Sequence, residues 1–218
     1  MSHSDTGYSD IDYEVEDGRA RITLARPQTH NAITSTMLRE FEEALWEADD
    51  DTSVHCVILR GEGPSFCSGY DLLKLGRPKQ EGHRTGRGHD DDIWLIELNN
   101  RKVRAVWEIH KPVIAQVHGN CLAGGTDLAL VCDMVIAADD ARIGFPAARA
   151  MGALPSNLWM YHCGPQWAKR LQLTGDSLTG ADAAKIGLVM KAVPADELSD
   201  EVEGLADRLC QIDSDLLA

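Results

Sequence analysis

Long hydrophobic runs are missing from this 218-residue chain. No apolar stretch reaches the roughly 18–20 residues that span a bilayer, so a membrane is not an expected partner. Basic residues are also scarce: 21 lysines and arginines stand against 35 aspartates and glutamates, a formal net charge of −14. That balance repels a nucleic-acid backbone and an anionic lipid surface, so neither is expected to bind. The first residues, Met1-Ser2-His3-Ser4-Asp5, lack the charged-then-apolar pattern of a secretory signal, and the cysteine usage leads to the expectation of a cytoplasmic location. No Cys-x-x-Cys spacing joins any of the six cysteines at 56, 67, 121, 132, 163 and 210. Several lie in apolar text such as Val54-His55-Cys56-Val57-Ile58-Leu59, which reads as buried, reduced thiols. Cys67 and Cys121, beside glycine clusters, are the candidates for a reactive one. What remains is a chain long enough to bury one sizeable core without staples.

Residues 1–10 are polar, and a disordered start is expected there. Arg19 to Leu24 alternates, with Ala20, Ile22 and Leu24 on one face, which predicts a strand. Arg26-Pro27 ends it, and a polar loop runs through Gln28, Thr29, His30 and Asn31. Leu38, Phe41, Leu45 and Ala48 recur at helical spacing, with Thr34, Ser35 and Thr36 offering N-caps. Cys56 to Leu59 is short and wholly apolar, as in a sheet strand covered on both faces, and Val113 to Val117, apolar but for Gln116, and Met134 to Ala137 read as further strands. The segment 76–92, with Gly76-Arg77-Pro78 and aspartates at 90–92, reads as a mobile lid, and a helix is predicted from Ile93 to Ile109. The text after the strand at 134–137 reads as helical, most clearly over Ala181–Ala184 and Leu198–Leu209. There is no low-complexity linker or sequence repeat, and strands alternating with helices predict an α/β domain.

Two junctions carry small residues where a strand gives way to a helix. One is Phe66-Cys67-Ser68-Gly69-Tyr70-Asp71-Leu72 and the other is Gly119-Asn120-Cys121-Leu122-Ala123-Gly124-Gly125-Thr126-Asp127. Glycines at a helix start let backbone N–H groups approach a ligand, and the helix dipole favours negative charge there. Two such groups from separate loops would make an oxyanion hole. Alternatively, the glycines only permit tight turns.

Read together, these motifs resemble the enoyl-CoA hydratase/isomerase family, the crotonase superfamily. The resemblance begins at Arg26-Pro27…Asn31-Ala32 and takes in both clusters, Lys111 to Gly119 and Cys132-Asp133. It continues through Gly144-Phe145-Pro146, Leu173-Thr174-Gly175 and Gly187-Leu188-Val189. It implies a repeated ββα spiral over 11–195, with 196–218 the start of a C-terminal helical region. It implies an acyl-CoA thioester as substrate, an enolate intermediate, and a homotrimer or a pair of trimers. The oxyanion donors would be the backbone N–H groups of Tyr70 and Gly124. Contacts to CoA would fall on Thr29, His30, Ser68, Asp71 and Leu72. No metal or other cofactor is implied, since CoA arrives as part of the substrate.

Hydratases of this family place two glutamates around a water, one as base and one as proton donor. The first position falls on Asp127, a shorter carboxylate, whose bland reading is a charge complementing the helix dipole. The second falls on Ala147, in Gly144-Phe145-Pro146-Ala147, and alanine moves no proton. A one-carboxylate set fits double-bond migration, decarboxylation or thioester cleavage as well as hydration. A rival reading is a CoA-thioester-binding protein without catalysis. Arg149 is a poor substitute acid because it is always charged. Tyr161 and His162 match no motif and read as core or surface residues. His83 and His89 beside Asp90, Asp91 and Asp92 allow a metal hydrolase as a third reading, against a plain solvated acidic loop. The Tyr70 side chain would narrow the acyl pocket or add a phenol to it. The text ends near where the family's C-terminal helices begin, so further residues are expected beyond Ala218.

Overall fold

The computed structural model describes residues 7–72, 89–151 and 158–217. The strands are β1 (Ile11–Glu16), β2 (Arg19–Leu24), β3 (Cys56–Gly61), β4 (Val113–Val117) and β5 (Asn120–Leu122), then β6 (Met134–Ala138), β7 (Arg142–Gly144), β8 (Ser177–Thr179) and β9 (Lys191–Val193). The helices are α1 (Ser35–Asp50), α2 (His89–Arg104), α3 (Gly124–Leu130) and α4 (Ala148–Met151), then α5 (Leu158–Thr174), α6 (Gly180–Lys185), α7 (Leu198–Cys210) and α8 (Ser214–Leu217). The apolar stretches at 56–59, 113–117 and 134–137 become β3, β4 and β6, parallel neighbours in a six-stranded sheet ordered β1-β2-β3-β4-β6-β9. Their residues are buried on both faces, which is why they do not alternate in polarity. Asp17 and Gly18, both at positive φ, turn β1 back on β2 as the antiparallel edge.

A second layer repeats alongside the first. After β2, Ile33 bridges Tyr70; after β3, Cys67 bridges Cys121. After β4 comes β5, after β6 comes β7, and β5, β7 and β8 form a small sheet of their own. Each pair of layers is followed by a helix: α1, α2, α3 and α4 in turn. This is the expected repeated ββα architecture, carried by backbone bonding that no sequence repeat announces. The three-residue strands β7, β8 and β9 lie where the text reads as helical. Three residues are too few to establish a period of two, so only the tertiary pairing defines them.

Thr34 caps α1 by accepting a hydrogen bond from the Met37 N–H at 2.9 Å. The buried face of α1 is Met37, Leu38, Phe41, Ala44, Leu45 and Ala48. Glu40, also buried, accepts from the Ser9 and Asp10 N–H groups at 3.1 and 2.8 Å. Ser9 and Asp10 are thus held in place, which the polar composition of 1–10 does not foretell. The expected helix over 93–109 starts earlier, at His89, and tightens into a 3-10 turn at Ala105–Trp107. Positions 89–92, expected in a lid, therefore belong to α2, and the rest of that segment, 76–88, lies outside the described residues. Helix α5 is broken at Gly164, where φ is 73° and Pro165 follows. On the far side of the sheet α7 is tied down by charge: Glu203 accepts from Arg19 at 2.6 Å and from Arg21 at 2.9 and 3.0 Å.

Candidate functional site

The two glycine clusters meet because their strands pair. The Cys67 N–H donates to the Asn120 carbonyl, and the Leu122 N–H donates to the Cys67 carbonyl, both at 2.9 Å. The next residues of the first cluster are pinned from the other side. The Ile33 N–H reaches the Gly69 carbonyl at 2.8 Å, and the Asp71 N–H reaches the Ile33 carbonyl at 2.9 Å. Asp71 then turns its carboxylate inward to Arg26 at 3.0 Å, an ion pair with both side chains about nine-tenths buried. Tyr70 sits between these anchors. A Cβ added at Gly69 would lie 3.3 Å from the Gly124 nitrogen, so the two clusters are in van der Waals contact.

Two backbone N–H groups at this contact have no other work. Among the described residues, neither the Tyr70 nor the Gly124 N–H donates to a protein acceptor. Ala123 before them holds φ 49° and ψ −122°, a conformation that disfavours any side chain and costs roughly 1–3 kcal/mol. The geometry is kept by the Ala123 N–H bond to the Gly144 carbonyl at 3.0 Å.

Asp127 lies three residues beyond Gly124, on the same face of α3 and about 4.5 Å along its axis. The Tyr70 ring lies against Gly124: two of its carbons stand 2.7 Å from where a Cβ would be. Burial, then the Asp127 charge, holds the Tyr70 phenol well above the ordinary tyrosine range, so it stays protonated. Burial likewise pushes the Cys67 thiol up to about 12, with Asp127 adding to it against a Gly69 N–H bond. Cys121, fully enclosed, is raised well above the usual thiol value. Neither is the reactive thiol that their position beside the glycines suggested.

The structure brings Thr29, His30 and Ser68 together at one rim of this contact. Ser68 donates from its N–H to the His30 carbonyl at 2.9 Å and from its hydroxyl to the Thr29 carbonyl at 3.3 Å. The His30 ring is 3.0 Å from the Ser65 hydroxyl, which accepts from the Asn120 N–H and side-chain amide at 3.3 and 3.1 Å. That leaves the single Ser65 proton for Nδ1 of His30. Leu72 is exposed at the edge of the described residues. The Arg26–Asp71 pair and the Ser65–Asn120 pair had no signal in sequence, since each joins positions 45 or more apart.

Ala147 is half-buried and packs on the core, between Gly144 and the turn into α4. Among the described residues, none of the alternatives named from sequence supplies the missing carboxylate's chemistry. Arg149 is committed elsewhere, donating to the Thr174 carbonyl at 2.8 Å and to Asp176 at 3.0 Å. Tyr161 is on the surface, and His162 donates to the Leu130 carbonyl at 2.8 Å behind α3. His83 and the side chains of His89 to Asp92 lie outside the described residues.

Comparison with known proteins agrees with this frame. The sequence profile of the family described as enoyl-CoA hydratase/isomerase matches residues 14–218. A putative enoyl-CoA hydratase of Mycobacterium tuberculosis is 34% identical, across 93% of this chain and 69% of its own length. A crotonyl-CoA hydratase of Syntrophomonas wolfei is 33% identical, across 93% of this chain and 76% of its own. Among solved structures, an enoyl-CoA hydratase from Mycobacterium smegmatis superposes with a TM-score of 0.88 at 35% identity, covering 96% of this chain and 74% of that one. An enoyl-CoA hydratase/isomerase from Xanthobacter autotrophicus gives 0.87 at 38% identity, covering 96% and 76%. The fold is therefore the ββα spiral of the crotonase class. The chain belongs to the enoyl-CoA hydratase/isomerase family and is an enzyme of that family.

Proposed function

We propose that this enzyme binds an acyl-CoA thioester and stabilises its enolate, with the Tyr70 and Gly124 N–H groups donating to the thioester carbonyl oxygen. The supporting observation is that the loops carrying these two N–H groups are in contact and that, among the described residues, neither group donates to a protein acceptor. Charge that develops on the oxygen during reaction would then meet fixed dipoles rather than water. Thr29, His30, Ser68, Asp71 and Leu72 form the CoA side, with Asp71 offering backbone atoms because its carboxylate is held by Arg26. Assembly as a homotrimer or a pair of trimers belongs to the same reading.

Asp127 is the acid–base group. For hydration it takes a proton from water as the oxygen bonds to the β-carbon, while the double-bond electrons move to the α-carbon and carbonyl. The same carboxyl then returns its proton to the α-carbon, so one water is added in full. Crotonyl-CoA hydration by wild type and Asp127→Ala tests this. Equal turnover in both removes Asp127 from the mechanism. The same donor pair and single carboxylate also serve double-bond migration, decarboxylation or thioester cleavage.

Alanine at 147 favours a second reading, a protein that binds CoA thioesters without hydrating them. Ala147→Glu separates the two. A rise in hydratase turnover shows an otherwise assembled site; thermal stabilisation by CoA thioesters with no change in them, in both proteins, supports binding alone.

A further inference from the structure

We propose that the Tyr70 ring determines acyl-chain length, closing the acyl side of the site to all but short chains. The inference rests on the acyl-CoA reading above and names its substrate class. Two ring carbons lie 2.7 Å from the Cβ position of Gly124, and Ile33 Cδ1 lies 3.2 Å from that same point. Those two side chains therefore occupy the space directly above the first residue of α3. The Asp127 charge reaches the phenol at the far end of the ring. The ring thus lies over the start of α3, whose fourth residue is Asp127.

That placement decides which half of a thioester it meets. Thr29, His30 and Ser68 are bonded together through Ser68, which precedes Gly69, whereas Tyr70 follows it. An acyl carbon within reach of Asp127 must lie on the Tyr70 side of the carbonyl, and CoA on the other. Nor is the ring free to step aside. Its backbone is held between the Gly69 and Asp71 bonds to Ile33, and the Arg26–Asp71 ion pair locks the next residue. The ring itself is half-buried and packs on the core.

The test is kcat/KM over trans-2-enoyl-CoA substrates of four, six, eight and ten carbons, for wild type, Tyr70→Phe and Tyr70→Ala. Wild type is expected to fall steeply with length. Tyr70→Ala should raise the ten-carbon to four-carbon ratio about tenfold or more, the scale on which pocket size discriminates methylenes. Tyr70→Phe should keep the wild-type ratio whatever its absolute rate. Tyr70→Leu, which retains apolar volume should the alanine variant fail to fold, is expected to fall between them. A wild-type ratio in Tyr70→Ala or Tyr70→Leu, or a wild type that prefers long chains, overturns the proposal alone. A wild type that neither binds nor turns over any of the series overturns the acyl-CoA reading and this proposal with it.

Discussion

Gly125→Ala puts the cluster contact under a defined load. An added Cβ would lie 2.5 Å from the Cys67 carbonyl oxygen and 2.9 Å from Cys67 Cβ, about 0.9 Å short of the 3.4 Å where ordinary contact begins. The obstacle is backbone, so the loop carrying Cys67 to Tyr70 must move away from α3. Overpacking of this kind costs roughly 1–3 kcal/mol. Alanine's better helix propensity returns about 1 kcal/mol of it. A net loss of up to about 2 kcal/mol lowers Tm by up to about 8 °C in a chain this long. The functional effect is expected to be larger, because a displacement near 1 Å between positioned groups costs about 100-fold in rate. Gly204→Ala is the control. It makes the same change in α7 with nothing within 4 Å, and should stabilise by about 1 kcal/mol. Thermal melting and enoyl-CoA hydration on both variants give the result. Wild-type stability and rate in Gly125→Ala would refute the account of how the two loops meet.

Further outcomes follow from contacts elsewhere. Glu203→Ala leaves the Arg19 and Arg21 guanidiniums, 7% and 11% exposed, without their shared carboxylate. Breaking such a pair costs about 3 kcal/mol by urea unfolding at neutral pH, the low end for buried partners, because Glu203 is itself partly open and Arg19 keeps Asp207 at 2.6 Å. Burial pushes the Glu203 carboxyl up, but hydrogen bonds from Arg21 and Arg19 outweigh it and hold it below 4.5. Its contribution is complete above pH 4.5 and is lost as pH falls through the lower folded value, so the gap between wild type and Glu203→Ala should narrow under acid. Thr34→Ala removes the cap on the Met37 N–H and should cost about 1 kcal/mol by the same measurement. Cys67 and Cys121 should resist alkylation near neutral pH in the folded protein and react after unfolding, read by mass spectrometry of digests.

What could be read from the text is what local chemistry decides. Helix α1 is announced by its Thr34 cap and its Leu38, Phe41, Leu45 and Ala48 stripe. Strands β3, β4 and β6 are announced by apolar runs that only a doubly covered sheet accepts. Strands β5, β7, β8 and β9 are three residues each and exist through their partners. The same holds inside the site. Gly69, Gly124 and Gly125 stood out as candidates, but what makes them close is the pairing of Cys67 with Asn120 and Leu122. The inward turn of Asp71 depends on Arg26, and the disengagement of Arg149 on Thr174 and Asp176, none of them neighbours in sequence. The placement of the Tyr70 ring over Gly124 could be read only from structure.

In the proposed reaction Tyr70 and Gly124 hold an enolate oxygen while Asp127 moves the α-proton. Deuterium exchange into the α-carbon of butyryl-CoA in heavy water measures that step without hydration and without a second carboxylate. Incorporation is expected with the wild-type enzyme and its loss with Asp127→Asn, which keeps the shape and removes the base. No incorporation by wild type, or undiminished incorporation by Asp127→Asn, would contradict it.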